Sequence, residues 1–331
     1  MNTFEFKLYF MLNHKNKPNS NSMESKRDFL KKLGLITVGG MVGGTMTPSL
    51  ASATGSKLFA PKKSIGLQTY SLGRELTEDV PGGLKKVAQI GYSTIEPAGY
   101  RERKMYGFEM TNFRKMADDA GLKVTGSHVN PPIRKYTKEN AGEIADFWKA
   151  TVEDHLECGV KSIVQPGMPS IESNDEAKMV CEVFNKAGEI AKASGIKWGY
   201  HNHSGEFQKA VKEEDKGKRG VAGDVIYDLM LNGTDPNLVF FEMDVYWTVM
   251  GQNDPLEYFG KYPTRFPILH IKDRSILGKS GMMNFENIFN IAYKNGLEEF
   301  YVELEGIRQG MTQFEGVKQC FDYLNNAPFV K

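Results

Sequence analysis

The chain has 331 residues, a formal net charge of +1 and 40% hydrophobic residues, a composition typical of an ordinary soluble globular protein with a sizeable core. The near-neutral charge and the lack of a long basic run argue against a nucleic-acid-binding protein.

The first 53 residues are interpreted as two segments that precede the folded domain. Residues 1–22 come before a second methionine, Met23, and are interpreted as a mis-called start or a disordered extension. Residues 23–53 contain a basic region, an apolar glycine-rich stretch and a small-x-small sequence that ends at Ala53, the order found in export signals. Lys26 and Arg27 resemble the twin-arginine pair of such signals. The sequence therefore predicts a periplasmic or otherwise exported protein without a stable membrane anchor after cleavage; the alternative is a cytoplasmic protein with an uncleaved tail.

Eight strand candidates follow at an average spacing of about 34 residues, the length of a strand-plus-helix unit. They begin near Ser64, Ser93, Lys123, Lys161, Lys197, Leu238, Ile268 and Phe300. Five helical patterns between strand candidates are each followed by a glycine: Pro81–Ile90, Met110–Ala120, Asn140–Glu157, Asp175–Ala193 and Phe285–Lys294. This alternation predicts a (β/α)8 TIM barrel of class α/β as a single domain over residues 62–331. The alternative is an open doubly wound sheet, but no G-x-G-x-x-G follows the first strand.

Two further features concern the segments between strands. The charged, glycine-rich segment 209–223 follows the fifth strand, and we interpret it as a loop over the mouth of the barrel, with a solvated excursion as the alternative. Cys158, Cys181 and Cys320 lie in predicted helices without C-x-x-C spacing, which predicts free, mostly buried thiols.

Polar residues end nearly every strand candidate, and active sites of TIM barrels lie at the carboxyl ends of the strands. Strands five to eight end in His201, Asp244, His270 and Glu303. Two imidazoles and two carboxylates without thiolates suit one divalent ion, such as Mn²⁺, Zn²⁺, Co²⁺, Fe²⁺ or Mg²⁺. Residues two apart on a strand share a face, so Glu242 points the same way as Asp244.

Other strand-end residues are candidates for catalysis or for substrate binding. The candidates for acid–base catalysis are Glu303, Glu305, His128 and Glu206. The candidates for contact with substrate are Glu96, Gln165, His203, Trp247 and Lys272. A core tryptophan and a surface lysine are the alternative interpretations of Trp247 and Lys272.

The combination of the segments IGLQTYSL, IEPAGY, GSHVN, YHNHSGEF, FEMDVYW, HIKDR and YVELEG resembles the sugar phosphate isomerase/epimerase superfamily of xylose isomerase-like barrels. The resemblance extends from about Ser64 to the end of the chain. It implies one divalent metal bound by a Glu, an Asp, a His and a Glu from strands five to eight. Asp244 and His270 match these positions, whereas His201 stands where the family has Glu. Either Glu303 or Glu305 is the ligand from strand eight, and strand depth favours Glu303.

The resemblance implies a metal-dependent isomerase or epimerase that removes a proton next to a metal-bound carbonyl. Because phosphorylated sugars are mainly cytoplasmic metabolites, export favours an unphosphorylated sugar or sugar derivative as substrate. One alternative is a lyase, dehydratase or hydrolase acting on a keto-sugar or keto-glycoside by the same first step. A non-catalytic carbohydrate-binding barrel and a nuclease of the endonuclease IV type are weaker alternatives. The sequence does not predict an oligomeric state.

Overall fold

The structure of the protein is a computed structural model that describes residues 63–219 and 221–331. The predicted extension 1–22 and the predicted export signal 23–53 lie outside the described residues. Among the helices of the described part, none combines the length and the apolar character that crossing a membrane requires.

Eight parallel strands of the described chain form a closed barrel. They are β1 Gly66–Gln68, β2 Thr94–Glu96, β3 Lys123–Val124, β4 Ser162–Gln165, β5 Lys197–His201, β6 Val239–Asp244, β7 Ile268–Ile271 and β8 Glu299–Val302. Their order in the sheet is β3-β2-β1-β8-β7-β6-β5-β4. A parallel bridge between His128 and Val164, and a 2.8 Å hydrogen bond from Lys161 N to Thr125 O, join the two edges. The predicted α/β TIM barrel is confirmed, and each strand begins within two residues of its predicted start.

Helices connect the strands and surround the barrel. They are α1 Arg74–Thr77, α2 Val80–Ile90, α3 Met110–Ala120, α4 Ala141–Cys158, α5 Asn174–Ala193, α6 Ile226–Gly233, α7 Val245–Met250, α8 Pro255–Lys261, α9 Phe285–Lys294 and α10 Gln313–Asn326. The five predicted helices are confirmed with bounds that differ by at most one residue. Gly121 and Gly159 end α3 and α4 with φ of 85° and 76°, in the left-handed region that other residues enter at a cost.

The barrel interior changes from apolar to polar along the strands. A small apolar cluster fills its amino-terminal part, with the members Val164, Phe240, Ile268 and Tyr301. Two residues after Phe240, Ile268 and Tyr301 lie Glu242, His270 and Glu303, the last just past the end of β8. They point to the same interior because side chains alternate along an extended chain. The strands therefore deliver polar groups to the carboxyl end of the barrel.

The segment after β5, predicted as a loop over the mouth of the barrel or a solvated excursion, is held in place by backbone pairing. Lys209–Ala210 pairs antiparallel with Asp224–Val225, and Asn174 N donates to Val211 O at 2.9 Å. The described part of the segment thus packs against the start of α5. The three cysteines are free and buried, as the sequence predicts.

Candidate active site

A cleft of about 710 Å³ opens at the carboxyl ends of the barrel strands. Strand-end residues that line it are Gln68, His128, His201, His203, Glu303 and Glu305. No described residue of segment 209–223 lines the cleft, so the structure does not support a loop over the mouth; the segment is held instead by α5. The cleft has the position expected for the active site of this fold.

Three imidazoles and two carboxylates meet at the base of this cleft, and we call them the imidazole cluster. Its members are Glu96, His128, His201, Glu242 and His270, all buried. Glu242 Oε2 lies 2.7 Å from His128 Nε2, 3.1 Å from His270 Nε2 and 3.2 Å from His201 Nδ1. Glu96 Oε2 lies 2.8 Å from His270 Nε2 and 3.1 Å from His128 Nε2. Five groups, from β2, β5, β6, β7 and the segment after β3, therefore converge on one small volume.

Neighbouring side chains fix the orientation of this cluster. The Gln68 amide donates to Glu96 Oε2 at 2.8 Å, and the second nitrogen of His270, Nδ1, lies 2.6 Å from Glu303 Oε2. The rings of His128 and His270 stack with centroids 5.0 Å apart and planes within 9°. These contacts leave little freedom for the imidazoles to rotate.

A second group of charges surrounds a buried lysine, and we call it the lysine cluster. Its members are Asp244, Lys272, Glu303 and Glu305. Lys272 Nζ lies 2.8 Å from Glu305 Oε1 and 3.3 Å from Glu303 Oε1, with the side chain only 1% exposed. It also lies 4.8 Å from the centre of the Trp247 ring, a cation–π contact. Asp244 Oδ1 accepts from Trp247 N at 2.8 Å and begins α7 as its N-cap.

The pKa values of the imidazole cluster are mutually dependent. Burial and then the charge of Glu242 raise the pKa of Glu96 to about 7. Burial opposes ionisation of Glu242 as well, but His270 and His128 hold its pKa well below the usual range. Conversely, Glu242 and Glu303 raise the pKa of His270 well above its usual value against the effect of burial. Burial lowers the pKa of His201 well below the usual value, so that imidazole is neutral. Protons on His128 and His270 thus provide the positive charge that compensates these carboxylates.

The pKa values in the lysine cluster and at the cleft shift for different reasons. Burial opposes the charge of Lys272, but Glu303 and Asp244 raise its pKa above the usual value, so it remains an ammonium. Burial raises the pKa of Asp244 to about 7, although Lys272 opposes this. Burial also lowers the pKa of His203, which lines the cleft as a neutral imidazole able to accept or donate a proton.

Seven predicted site residues do not line the main cleft. Four of them belong to the two clusters: Glu96, Asp244, His270 and Lys272. The other three lie elsewhere. Glu206 is fully buried and accepts hydrogen bonds from Tyr200 Oη at 2.5 Å and His203 N at 3.0 Å, so it fixes the turn that carries His203. Gln165 is held by Tyr136 and by its own bond to Gly167 O at 2.8 Å. Trp247 packs against Lys272 and the His203 ring. Their predicted roles stay predictions.

One wall of the cleft comes from a two-residue hairpin that the sequence analysis missed. Tyr100–Arg101 pairs with Lys104–Met105, and the turn residues Glu102 and Arg103 have φ of 51° and 62°. Such turns normally carry Asn or Gly, which is why the sequence gives no signal for it. Asp154 on α4 holds the hairpin, with its carboxylate 2.6 Å from Tyr100 Oη and 2.6 Å from Arg103 Nη2.

Two overlapping sets of residues have donor atoms close enough to hold a metal ion. The set predicted from the sequence is His201, Asp244, His270 and Glu303. The second set is His128, His201, Glu242 and His270. In each set, the donor atoms lie within 4.8 Å of one another. Nitrogen and carboxylate donors of this kind suit a divalent transition metal. Within the described residues, Asp244 Oδ2 and Glu242 Oε1 are buried without a hydrogen-bond partner, as expected for atoms that face a cation. The residues therefore fit such an ion, and the choice of ligands stays a prediction.

Comparisons with known proteins agree with the fold. The family model of the xylose isomerase-like TIM barrel matches residues 84–326. A crystal structure described as a sugar phosphate isomerase/epimerase from Parabacteroides distasonis ATCC 8503 is 50% identical with a TM-score of 0.80, and the match covers 83% of this chain and 99% of that one. The structure of an L-ribulose 3-epimerase, 13% identical with a TM-score of 0.61 over 79% of this chain and 93% of that one, shares the fold.

Sequence relatives include enzymes of one further activity. The inosose dehydratase of Clostridium perfringens strain ATCC 13124 is 33% identical over 101 residues, and the match spans 30% of each chain. That of Bacillus licheniformis strain ATCC 14580 is 24% identical over 234 residues, which are 66% of this chain and 74% of that protein. The chain is thus similar to enzymes over most of the barrel.

Proposed function

Because this chain belongs to the xylose isomerase-like TIM barrel family, we propose that it is a metal-dependent isomerase or epimerase that acts on an unphosphorylated sugar or sugar derivative. One observation supports this most: buried histidines and carboxylates that fit a divalent ion lie directly beside a cleft at the carboxyl ends of the strands. A divalent ion held there would polarise a substrate carbonyl and make the adjacent C–H more acidic.

We assign removal of that proton to Glu305. Its carboxylate lines the cleft with the side chain 36% exposed, and the salt bridge with Lys272 at 2.8 Å fixes its position. Glu303, by contrast, is held between His270 and Lys272. His203 also lines the cleft and is neutral, so it suits the return of a proton from a second side of the substrate.

The charge of the cleft supports a neutral substrate. Among its described lining residues, Arg101 is the only lysine or arginine, whereas Glu102, Glu303 and Glu305 are acidic. A phosphate group requires several converging donors or cations, and these carboxylates would repel it.

The first experiment is metal analysis of the purified protein, followed by a screen of keto- and aldo-sugars with and without added metal. We expect about one divalent ion per chain and metal-dependent exchange between isomers of one sugar. Equal turnover by the chelator-treated protein would contradict the proposal. A failure to act on phosphorylated analogues would support the neutral substrate.

A dehydratase is the second candidate. Its support is the similarity to inosose dehydratases and the presence of His201 where the resemblance implies a glutamate. Elimination begins with the same proton removal and requires only one strong base, which Glu305 supplies. A product that lacks the elements of water, in place of an isomer, would establish this candidate.

We further propose that the protein is exported and that the mature chain begins near Thr54. The support is the order of basic, apolar and Ala51-Ser52-Ala53 segments in the sequence. N-terminal sequencing of protein from the native cell tests this. An intact Met23 in the cytoplasmic fraction would contradict it.

A further inference from the structure

The cleft is larger than one sugar ring requires. Its volume of about 710 Å³ lies within the range of about 300–1,000 Å³ found for sites that hold drug-sized ligands, and a single sugar ring is smaller than such a ligand. We propose that the outer part of the cleft is a subsite for a second ring, joined to the reacting sugar by a glycosidic bond. This inference rests on the proposed function, because it names the class of sugar derivative that the enzyme takes.

The lining of the cleft changes in character from its base to its opening. At the base, His128, His201 and Glu303 are buried polar groups. Towards the opening, aromatic and proline side chains that are exposed or half-buried form a surface that we call the apolar rim. Its members are Tyr70, Tyr100, Pro132, Phe147 and Pro166. The two kinds of lining suit a substrate with a polar reacting end and a second end that has an apolar face.

Tyr70 is the member of the apolar rim that is best placed to contact a ligand. It is 63% exposed, and among the exposed large apolar side chains of the described chain it alone lines the cleft; the others are Phe108, Leu156 and Met282. Its backbone is fixed, since Tyr70 N donates to Gln68 Oε1 at 2.8 Å and Gly73 N donates to Tyr70 O at 3.1 Å. A tyrosine held in this way offers a large contact area at little cost in conformational entropy.

The hairpin that carries Tyr100 is held in a strained conformation beside the cleft. Glu102, Arg103 and Tyr106 have φ of 51°, 62° and 52°, in the left-handed region. Such residues persist only where the surrounding structure imposes the conformation, and they are common at ligand sites. Asp154 imposes it here, because its carboxylate lies 2.6 Å from both Tyr100 Oη and Arg103 Nη2. The strain therefore maintains Tyr100 in the wall of the cleft.

A hydrogen-bonded bridge joins this hairpin to the turn that carries Tyr70. Tyr106 Oη lies 2.6 Å from Thr69 Oγ1 and accepts from Ala98 N at 3.3 Å. The ring of Tyr106 packs directly on Gly99, where a Cβ atom would overlap it. The two aromatic parts of the apolar rim are therefore fixed relative to each other before a ligand binds, which reduces the cost of ordering them.

Polar groups beside the apolar rim indicate which kind of ring it would accept. Arg101, Glu102 and Asn130 also line the cleft, and all three are exposed. Together they offer donors and acceptors, and sugar hydroxyl groups both donate and accept hydrogen bonds. An aromatic ring would use only the apolar surface. The lining therefore favours a second sugar ring over an aromatic group.

Isothermal titration calorimetry of the metal-loaded full chain tests the subsite with pairs of probes. Methyl glycosides of glucose, galactose, mannose and xylose are compared with the nitrophenyl glycosides of the same sugars. The free sugars are compared with disaccharides in which each is the reducing unit and so keeps its carbonyl. For at least one sugar, we expect the two-ring probe to bind about tenfold tighter or more, because the second ring buries apolar surface. A stronger gain from the disaccharide would identify a second sugar, and a stronger gain from the nitrophenyl group an aromatic ring.

Variants at Tyr70 connect this preference to the apolar rim. Tyr70→Ala should abolish the preference and leave the affinity for one-ring probes unchanged, which also shows that the variant is folded. Tyr70→Phe should keep the preference because it keeps the ring. The matched control Phe108→Ala removes an exposed aromatic side chain outside the cleft and should keep it as well.

Three results would overturn the subsite. They are equal affinity for both members of every pair, an absence of binding by all probes, and an unchanged preference in Tyr70→Ala. Light scattering adds a fourth, since a smaller particle mass for Tyr70→Ala would assign Tyr70 to a contact between copies of the chain.

The subsite and the proposed function can fail separately. A preference that depends on Tyr70, without isomer exchange or elimination in any probe, would support the subsite and contradict the proposed activity. Exchange between isomers of a free monosaccharide, without a preference for any two-ring probe, would support the activity and overturn the subsite.

Discussion

The imidazole cluster and the lysine cluster lie side by side in one barrel and are joined by the contact between His270 and Glu303, yet they compensate their carboxylates differently. In the lysine cluster, the ammonium of Lys272 is a permanent charge within 3.3 Å of two glutamates. In the imidazole cluster, Glu96 and Glu242 are paired with histidines, whose charge depends on bound protons. Within the described chain, Glu303 and Glu305 are therefore compensated by a fixed cation, whereas Glu96, Glu242 and the unpaired Oδ2 of Asp244 favour an added one.

The comparison also separates two chemical tasks. The lysine cluster presents Glu305 to the cleft and holds it in place, which suits proton transfer. The imidazole cluster is buried, apart from the edges of His128 and His201, which suits a tightly held ion. If the tasks are separate, a substitution in one cluster should leave the function of the other largely intact.

The largest expected effect is on turnover. Glu305→Gln should lower kcat by about 10²–10⁴-fold, because a positioned base contributes that much, while the bound metal remains at the wild-type level. The matched control is Glu298→Gln, which removes an exposed glutamate paired with Lys197 at 2.6 Å near the other end of β8. Kinetic assays and metal analysis of both variants test this. Normal turnover by Glu305→Gln would assign the base to another residue.

A substitution in the lysine cluster should have a smaller effect on metal affinity. Lys272→Met removes the cation beside Glu303, which then orients His270 less firmly, so we expect metal affinity to fall by up to about tenfold. Competition with a chromogenic chelator measures it. A complete loss of the ion from a folded variant would show that the two clusters act as a single unit and would contradict their separate functions.

Chelation should lower thermal stability. An ion bound only by the native state, at a free concentration of 100 times Kd, adds about 2.7 kcal/mol to the free energy of unfolding. For a domain of this size that corresponds to about 5–10 °C in Tm. Scanning calorimetry with and without chelator should show this difference in wild type but not in His201→Asn, which removes an imidazole common to both candidate ligand sets. Equal shifts in both proteins would place the ion away from His201.

The smallest effect concerns an ion pair outside both clusters. Although burial opposes it, Lys135 and Lys216 hold the pKa of Glu176 at about 2. A depressed native pKa stabilises the fold above the unfolded value of about 4.3, and this contribution is lost as the pH falls towards 2. Urea unfolding should therefore show wild type more stable than Glu176→Gln at pH 6, with the difference shrinking by pH 3. A constant difference would contradict the role of this charge.

The sequence predicted the barrel well because strand and helix periodicities are local properties. Each strand began within two residues of its predicted start, and α3 and α9 have their predicted bounds. The rule that strand ends meet at one opening also brought His201, Asp244, His270 and Glu303 together, as the structure places them.

What the sequence did not predict depends on distances across the barrel. Glu242 was placed on the same face as Asp244, but its contacts with three histidines follow from strand tilt and register, which a single sequence does not reveal. The Tyr100–Met105 hairpin was missed because Glu102 and Arg103 adopt positive φ without a Gly or Asn signal. Segment 209–223 was placed over the mouth because its composition gives no sign of its pairing with Asp224–Val225.

The most direct test of the account is hydrogen exchange at the substrate carbon during turnover in D₂O. Metal-loaded protein is incubated with the sugar found by the screen, and proton NMR follows the C–H next to the carbonyl. We predict that deuterium replaces this one hydrogen, that chelator stops the exchange, and that Glu305→Gln slows it in proportion to kcat. Metal-dependent turnover that leaves every C–H of the substrate intact would contradict proton removal and would favour hydrolysis by metal-activated water.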